Sequence, residues 1–142
     1  MIRINTELAE RNLGHLILKI ERYFQASVGK RKIKCMIEKH VICLDDYRSK
    51  SLNSQKQNVE IAVRIGNDLL PLLVGLEKRE LHRDIKPENI FLRGKTLDEG
   101  LCLGDFGIAT HLNAAGNPTT ITVAGTYNTM SADFKFEDEK HS

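Results

Sequence analysis

His82-Arg83-Asp84-Ile85-Lys86-Pro87-Glu88-Asn89-Ile90-Phe91-Leu92 is the most informative stretch of this chain, and Leu103-Gly104-Asp105-Phe106-Gly107 follows it closely. Ile90–Leu92 and Leu101–Leu103 read as two very short apolar strands joined by a polar turn around Gly94. Pairing those strands would fold Asn89, just before the first, and Asp105, just after the second, onto one place. Each motif is weak alone. An isolated Asp-Phe-Gly is most often an ordinary turn, and a lone His-Arg-Asp is most often a surface ion pair. Both in this order, each beside a short apolar strand, carry meaning together.

Taken together, the two runs resemble the catalytic loop and the metal-binding loop of eukaryotic-type serine/threonine protein kinases. The resemblance implies ATP and Mg2+ as cofactors and a protein bearing a serine or threonine hydroxyl as substrate. It makes Asp84 the carboxylate that accepts the proton of that hydroxyl, and Lys86 the charge that steadies the phosphoryl group in transit. The Lys86-Pro87-Glu88-Asn89 form looks like the serine/threonine branch rather than the tyrosine branch. The amide oxygen of Asn89 and the carboxylate of Asp105 would hold the metal. Magnesium takes hard oxygen ligands and keeps several waters, so one amide and one carboxylate suffice from the protein. His82, Arg83 and Gly107 would support these loops, and Phe106 resembles the apolar residue that packs behind them near His82.

The resemblance extends outward. Asn12-Leu13-Gly14-His15-Leu16-Ile17-Leu18-Lys19-Ile20 is similar to the turn after the family's αC helix, with Leu16 where proline is common. Met36-Ile37-Glu38-Lys39-His40 looks like the strand leading into the hinge, which places Glu38 and His40 where backbone groups hold adenine. Gly125-Thr126-Tyr127-Asn128-Thr129-Met130 resembles the end of the activation segment, so Thr126 is expected to hydrogen-bond near Asp84 and Lys86. Similarity covers most of residues 5 to 132, strongly only at 81 to 107. The implied fold is α+β, a partial protein-kinase-like fold with a remnant of the N-lobe strands and the first half of the helical C-lobe. It would span residues 1–133, with 134–142 as a charged, disordered tail.

Departures from the family pattern matter as much as matches. No Gly-rich phosphate loop and no Val-Ala-Ile-Lys strand precede the first helix, so those elements are expected upstream of Met1. The register of the αC glutamate falls at Thr6, with Glu7 adjacent. Ser131-Ala132-Asp133 stands where Ala-Pro-Glu anchors the activation segment, and Ser142 is reached before the large helical half of the C-lobe. Thr110 replaces a basic residue, which weakens any phosphate pocket built with Arg83. Thr119, Thr120 and Thr122 lie where kinases are switched by phosphorylation, although a plain polar loop is the favoured reading. A truncated domain, inactive by itself, is therefore expected. The alternatives are a pseudokinase-like binding or scaffold protein and a non-functional gene fragment. Intact Asp84, Lys86, Asn89 and Asp105 favour recent kinase activity in the lineage.

The remaining chain is read from pattern. Asn5–Leu13 forms a short helix, and Leu16–Phe24 and Lys32–Glu38 form a hairpin around a loop at Ala26–Lys30. The basic run Lys30–Lys34 alternates around Ile33 and is a solvated strand face rather than a nucleic-acid patch. A helix opens at Leu44. The long helix Ser54–Arg79 carries Val59, Ala62, Ile65, Leu69, Leu72, Leu73 and Leu76 on one face, with Pro71 inside it. That face is wider than the preserved elements can cover, which predicts a complementing chain over residues 54–79. With 142 residues and a net charge of +2, the composition is that of one modest domain and argues for neither a nucleic-acid nor a membrane partner. Cys35, Cys43 and Cys102 have no metal-like spacing and are read as reduced thiols in a cytoplasmic protein.

Overall fold

The computed structural model describes residues 13–38, 41–50, 54–76, 80–119 and 124–130. The helix over Asn5–Leu13 with Thr6 and Glu7, the Ser131–Asp133 stretch, the tail from Phe134 and His40 lie outside them, except Leu13. Within them the chain is α+β, with helices α1 (Leu44–Lys50) and α2 (Gln55–Leu76) and six short strands in antiparallel pairs. Among the described residues no helix is long and apolar enough to cross a membrane.

Strands β1 (Ile20–Val28) and β2 (Arg31–Glu38) form the hairpin, with Val28 opposite Arg31. The loop expected at Ala26–Lys30 shrinks to Gly29-Lys30. Gly29 adopts φ +60°, which a tight hairpin turn demands and glycine meets without strain. The ladder therefore runs to the very tip. Leu16, expected at the start of β1, belongs instead to a single 3-10 turn, Gly14–Leu16. By register, Phe24, Ala26 and Val28 share one face with Ile33 and Ile37, and the four large side chains on it are exposed.

The structural centre is the pair β4 (Ile90–Leu92) and β5 (Leu101–Leu103), joined in the expected order with Ile90 opposite Leu103. Single bridges widen it on both sides, Cys43 to Phe91 and Ile17 to Leu103. α2 lies across β5. Its Ile61, Leu69, Leu72 and Leu76 enter a core shared with Leu16, Ile17, Leu44, Ile90, Leu92, Leu101, Leu103 and Phe106. The Ser54 hydroxyl caps the helix by accepting the Gln57 N–H at 3.2 Å. A polar tie fixes its direction, as the Asp68 carboxylate accepts the N–H of Leu101 at 2.7 Å.

The expected inward face of α2 needs correction at its start. Ile61 is buried, whereas Val59 and Ala62 are exposed. At 100° per residue, the apolar positions of α2 span about 220° of its circumference, more than one packing surface can cover. Contact with β5 takes the Ile61–Leu69–Leu72–Leu76 side. Val59, Val63, Leu70 and Val74 remain outside, each between 56% and 63% exposed. The helix continues through Pro71, whose missing N–H leaves the carbonyl of Asn67 without its usual intrahelical donor.

Candidate active site

Asn89 and Asp105 are brought together by the β4–β5 pair. Beyond its last rung, the carbonyl of Asn89 accepts the N–H of Gly104 at 2.8 Å, so the residues flanking the two strands are neighbours. Asp105 is exposed and has φ 52°, and Arg83 has φ 70°. Left-handed backbone at non-glycine residues is uncommon and persists where the surroundings impose it, often at functional sites. The Asp105 carboxylate also accepts the N–H of Gly107 at 3.2 Å.

Asp84 is buried, and donors converge on both of its oxygens. Oδ1 accepts the Thr126 N–H at 2.9 Å and the Thr126 hydroxyl at 2.6 Å. Oδ2 accepts the Asn89 amide at 2.9 Å and lies 3.1 Å from the Lys86 ammonium. Lys86 also donates to the Thr126 hydroxyl at 2.7 Å. Burial pushes the Asp84 carboxyl up, but the hydrogen bonds from Thr126, Lys86 and Asn89, with the Lys86 charge, outweigh it and hold the group below its ordinary value. Asp84 is thus an anion at neutral pH, aimed by fixed donors. The same Asn89 amide nitrogen also donates to the Asp84 carbonyl at 2.9 Å, which turns its oxygen away from Asp84. The Asn89 amide oxygen and the exposed Asp105 carboxylate flank the two paired strands and are hard oxygen donors of the kind that a magnesium ion keeping several waters takes. Among the described residues no three His, Cys, Asp or Glu side chains gather in a way that could hold a metal.

No protein-family model matches the chain. Curated proteins similar to it are kinases. The serine/threonine-protein kinase PknA of Nostoc sp. is 41% identical over 118 residues, which covers 78% of this chain and 20% of that protein. The L-type lectin-domain containing receptor kinase V.5 of Arabidopsis thaliana is 33% identical over 95 residues, 64% of this chain and 14% of the relative. The interferon-induced, double-stranded RNA-activated protein kinase of Rattus norvegicus is 48% identical over 56 residues, 39% of this chain and 10% of the relative. The chain therefore spans a fifth or less of the length of each of these proteins. It carries a protein-kinase-related region.

In this kinase-related region the segment around residues 80–83 is buttoned to residues 104–111. Strands β3 (Glu80–Leu81) and β6 (Thr110–His111) pair. His82 Nε2 meets the Gly104 carbonyl at 2.9 Å, and its Nδ1 accepts the Asp84 N–H at 3.3 Å. The His82 ring stands edge-on to Phe106, with centroids 4.6 Å apart. The Arg83 guanidinium donates to the Ile108 carbonyl at 2.6 Å. Both ring nitrogens of a neutral His82 are thereby satisfied.

Burial pushes the His82 pKa below its ordinary 6.5, against the Gly104 carbonyl and the charges of Asp105 and Asp84, which oppose the shift. A base with a depressed folded pKa contributes stability that is full above 6.5 and lost as pH falls toward the folded value. Asp84, depressed below 3.8, contributes stability that is full above that value and lost as pH falls through the folded one. Urea midpoints measured against pH are therefore expected to decline below about 6.5 and again below about 4. His82→Phe keeps a ring beside Phe106 and should remove the first decline alone. A His82→Phe profile parallel to the parent's at every pH contradicts this.

Three functional neighbours escape a reading of motifs. Gly125, in the quoted Gly125-Thr126 run, has φ 134°, and a Cβ there would collide with the Arg83 carbonyl. This close approach delivers Thr126 to Asp84. Gly125→Ala is expected to separate them and to lower stability by about 1–3 kcal/mol; an unchanged melting temperature would count against that. Glu80 is 4% exposed and pairs with His111 Nδ1 at 2.8 Å, opposite it in the β3–β6 ladder. Nothing in the order of residues marks Glu80 as buried. Thr110, where a basic residue was expected, is buried, with its hydroxyl 3.4 Å from that of Thr119. Thr119 also donates to the His111 carbonyl at 3.0 Å; Thr120 and Thr122 lie outside the described residues. Of the two residues expected to border adenine, Glu38 ends β2 and its side chain lies outside the described residues, as does all of His40.

Proposed function

We propose that this chain supplies the catalytic-loop and metal-loop part of a serine/threonine protein kinase site, transferring phosphate from ATP to a protein hydroxyl. The observation that carries the reading is the Asp84 carboxylate, ionised and held by Thr126, Lys86 and Asn89. Asp84 would accept the proton of the substrate hydroxyl as its oxygen attacks. Lys86, seated against Asp84 and Thr126, would face the phosphoryl group. Asn89 and Asp105 would hold magnesium, which when bound neutralises the developing phosphate charge. Kinase chemistry is largely positioning and electrostatics, so a preset donor network is the part that this segment contributes.

These 142 residues include neither a Gly-rich loop nor a Val-Ala-Ile-Lys strand, so nothing recognisable grips the phosphates from above. The isolated chain is thus read as inactive, with adenine near Glu38 and His40 and the exposed side of α2 covered by a second polypeptide. A pseudokinase-like binding role is the second reading, favoured by the exposed apolar faces of α2 and the hairpin.

The test has two arms. Calorimetry of the chain with ATP and magnesium should show no saturable binding at micromolar concentrations. Residues 80–130 grafted in place of the matching segment of the Nostoc kinase should support phosphorylation of a protein serine or threonine. A folded graft without turnover refutes the catalytic reading, and micromolar binding by the chain alone refutes its incompleteness.

A further inference from the structure

Phe91 is the middle residue of β4, paired with Cys102 and bridged to Cys43 on its other side. The chemistry proposed above does not use it. Its ring nevertheless occupies the space that any side chain at position 104 would need. A Cβ built on Gly104 would lie 2.5 Å from Cε2 and 3.0 Å from Cδ2 of Phe91, and 3.2 Å from Cδ2 of Leu18. Non-bonded carbons settle at about 3.5–4.0 Å. The ring therefore fits a bare α-carbon and nothing larger.

Gly104 is not free to retreat from the ring. Its N–H is bonded to the Asn89 carbonyl at 2.8 Å, and its own carbonyl meets His82 Nε2 at 2.9 Å. Leu18, which closes the other side, is itself tied by its N–H to the Leu103 carbonyl at 2.8 Å. The next residue is Asp105, in a left-handed conformation that needs outside support. Ring, glycine and carboxylate thus stand in series, with the Asn89 carbonyl hydrogen-bonded to the glycine's N–H.

We propose that Phe91 is a positioning residue for Asp105: seated on Gly104, its ring sets the depth of the metal loop so that Asp105 and Asn89 can share one divalent cation. The proposal rests on the reading of Asn89 and Asp105 as metal ligands. A merely space-filling Phe91 would affect stability but would not couple to residue 104 in metal affinity.

Manganese alone, added to the full chain, is the probe. Electron paramagnetic resonance counts free Mn2+ whatever the oligomeric state, and far-UV circular dichroism checks that helix content is kept. Phe91→Leu is expected to weaken Mn2+ about tenfold, the usual scale for a residue that orients a ligand. Gly104→Ala should weaken it at least as much, because the methyl meets the ring. The double variant should return to within about threefold of the parent, since residues in contact do not act additively. Asp105→Asn should weaken Mn2+ in every background. If Asp105→Asn changes nothing, the metal-ligand reading fails and the proposal falls with it. If Asp105→Asn weakens binding but Phe91→Leu does not, or the single losses simply add in the double variant, the metal reading stands and the proposal is overturned. Should Phe91→Leu lose helix content, Phe91→Tyr and Phe91→Met replace it. Tyrosine keeps the ring and the parent affinity and methionine does not; equal affinities overturn the proposal.

Discussion

Asp84→Asn, made in a complete kinase domain whose catalytic segment is replaced by residues 80–130 of this chain, is expected to lower turnover about 100- to 10,000-fold. An amide cannot take the proton of an attacking hydroxyl. The substitution also disturbs the network that aims the group. Both oxygens of Asp84 receive donors, from Thr126 on one side and from Asn89 and Lys86 on the other. Whichever way the new amide turns, its nitrogen faces a donor. That conflict should cost about 1–3 kcal/mol of stability beyond the loss of turnover. Binding of the protein substrate, measured as KM, should change far less, because the proton is transferred only as the reaction proceeds. Turnover equal to the parent's would show that Asp84 is not the base.

The second large effect concerns association. Val59, Val63, Leu70 and Val74 form an exposed stripe along α2, and Phe24, Val28, Ile33 and Ile37 cover one face of the hairpin. Leaving a large apolar side chain in water forgoes about 1.5–3 kcal/mol, and the whole stability of a domain is only about 5–15 kcal/mol. The purified chain is therefore expected to associate or aggregate rather than behave as a stable monomer. Size-exclusion chromatography with light scattering, followed by a thermal melt, checks this. Leu70→Gln with Val74→Gln should shift the distribution toward smaller species, since neither side chain contributes to the core. A monomeric peak with one cooperative transition would show that the preserved elements close their own core, and the reading of an incomplete domain would have to be abandoned.

The strand pair and the two loops that flank it were legible in the order of residues. His82 to Leu92 and Leu103 to Gly107 mark two loops around a strand pair, because each strand is a run of three apolar residues, ended by Arg93 in the first and by Gly104 in the second. The pairing of β4 with β5 follows from that brevity, since neither strand has another short-range partner. The helix at Gln55–Leu76 was equally readable from its three- and four-residue apolar steps. Thr126 could be expected beside Asp84 and Lys86 only through family likeness, because its position across the site depends on a contact between Gly125 and the Arg83 carbonyl that no periodicity encodes.

Other features were decided in three dimensions. Which side of α2 is buried could not be read from a stripe about 220° wide; contact with β5 chose Ile61 over Val59. The hairpin ran further than its loop composition suggested because one glycine at positive φ let the ladder close. The burial of Glu80 against His111 and the seating of Phe91 on Gly104 are meetings of residues from separate segments, set by how those segments pack. A sequence determines what each short segment prefers, through side-chain volume, polarity and backbone freedom. Which of several acceptable faces is covered, and which backbones touch, depends on the competition among segments for the same small core.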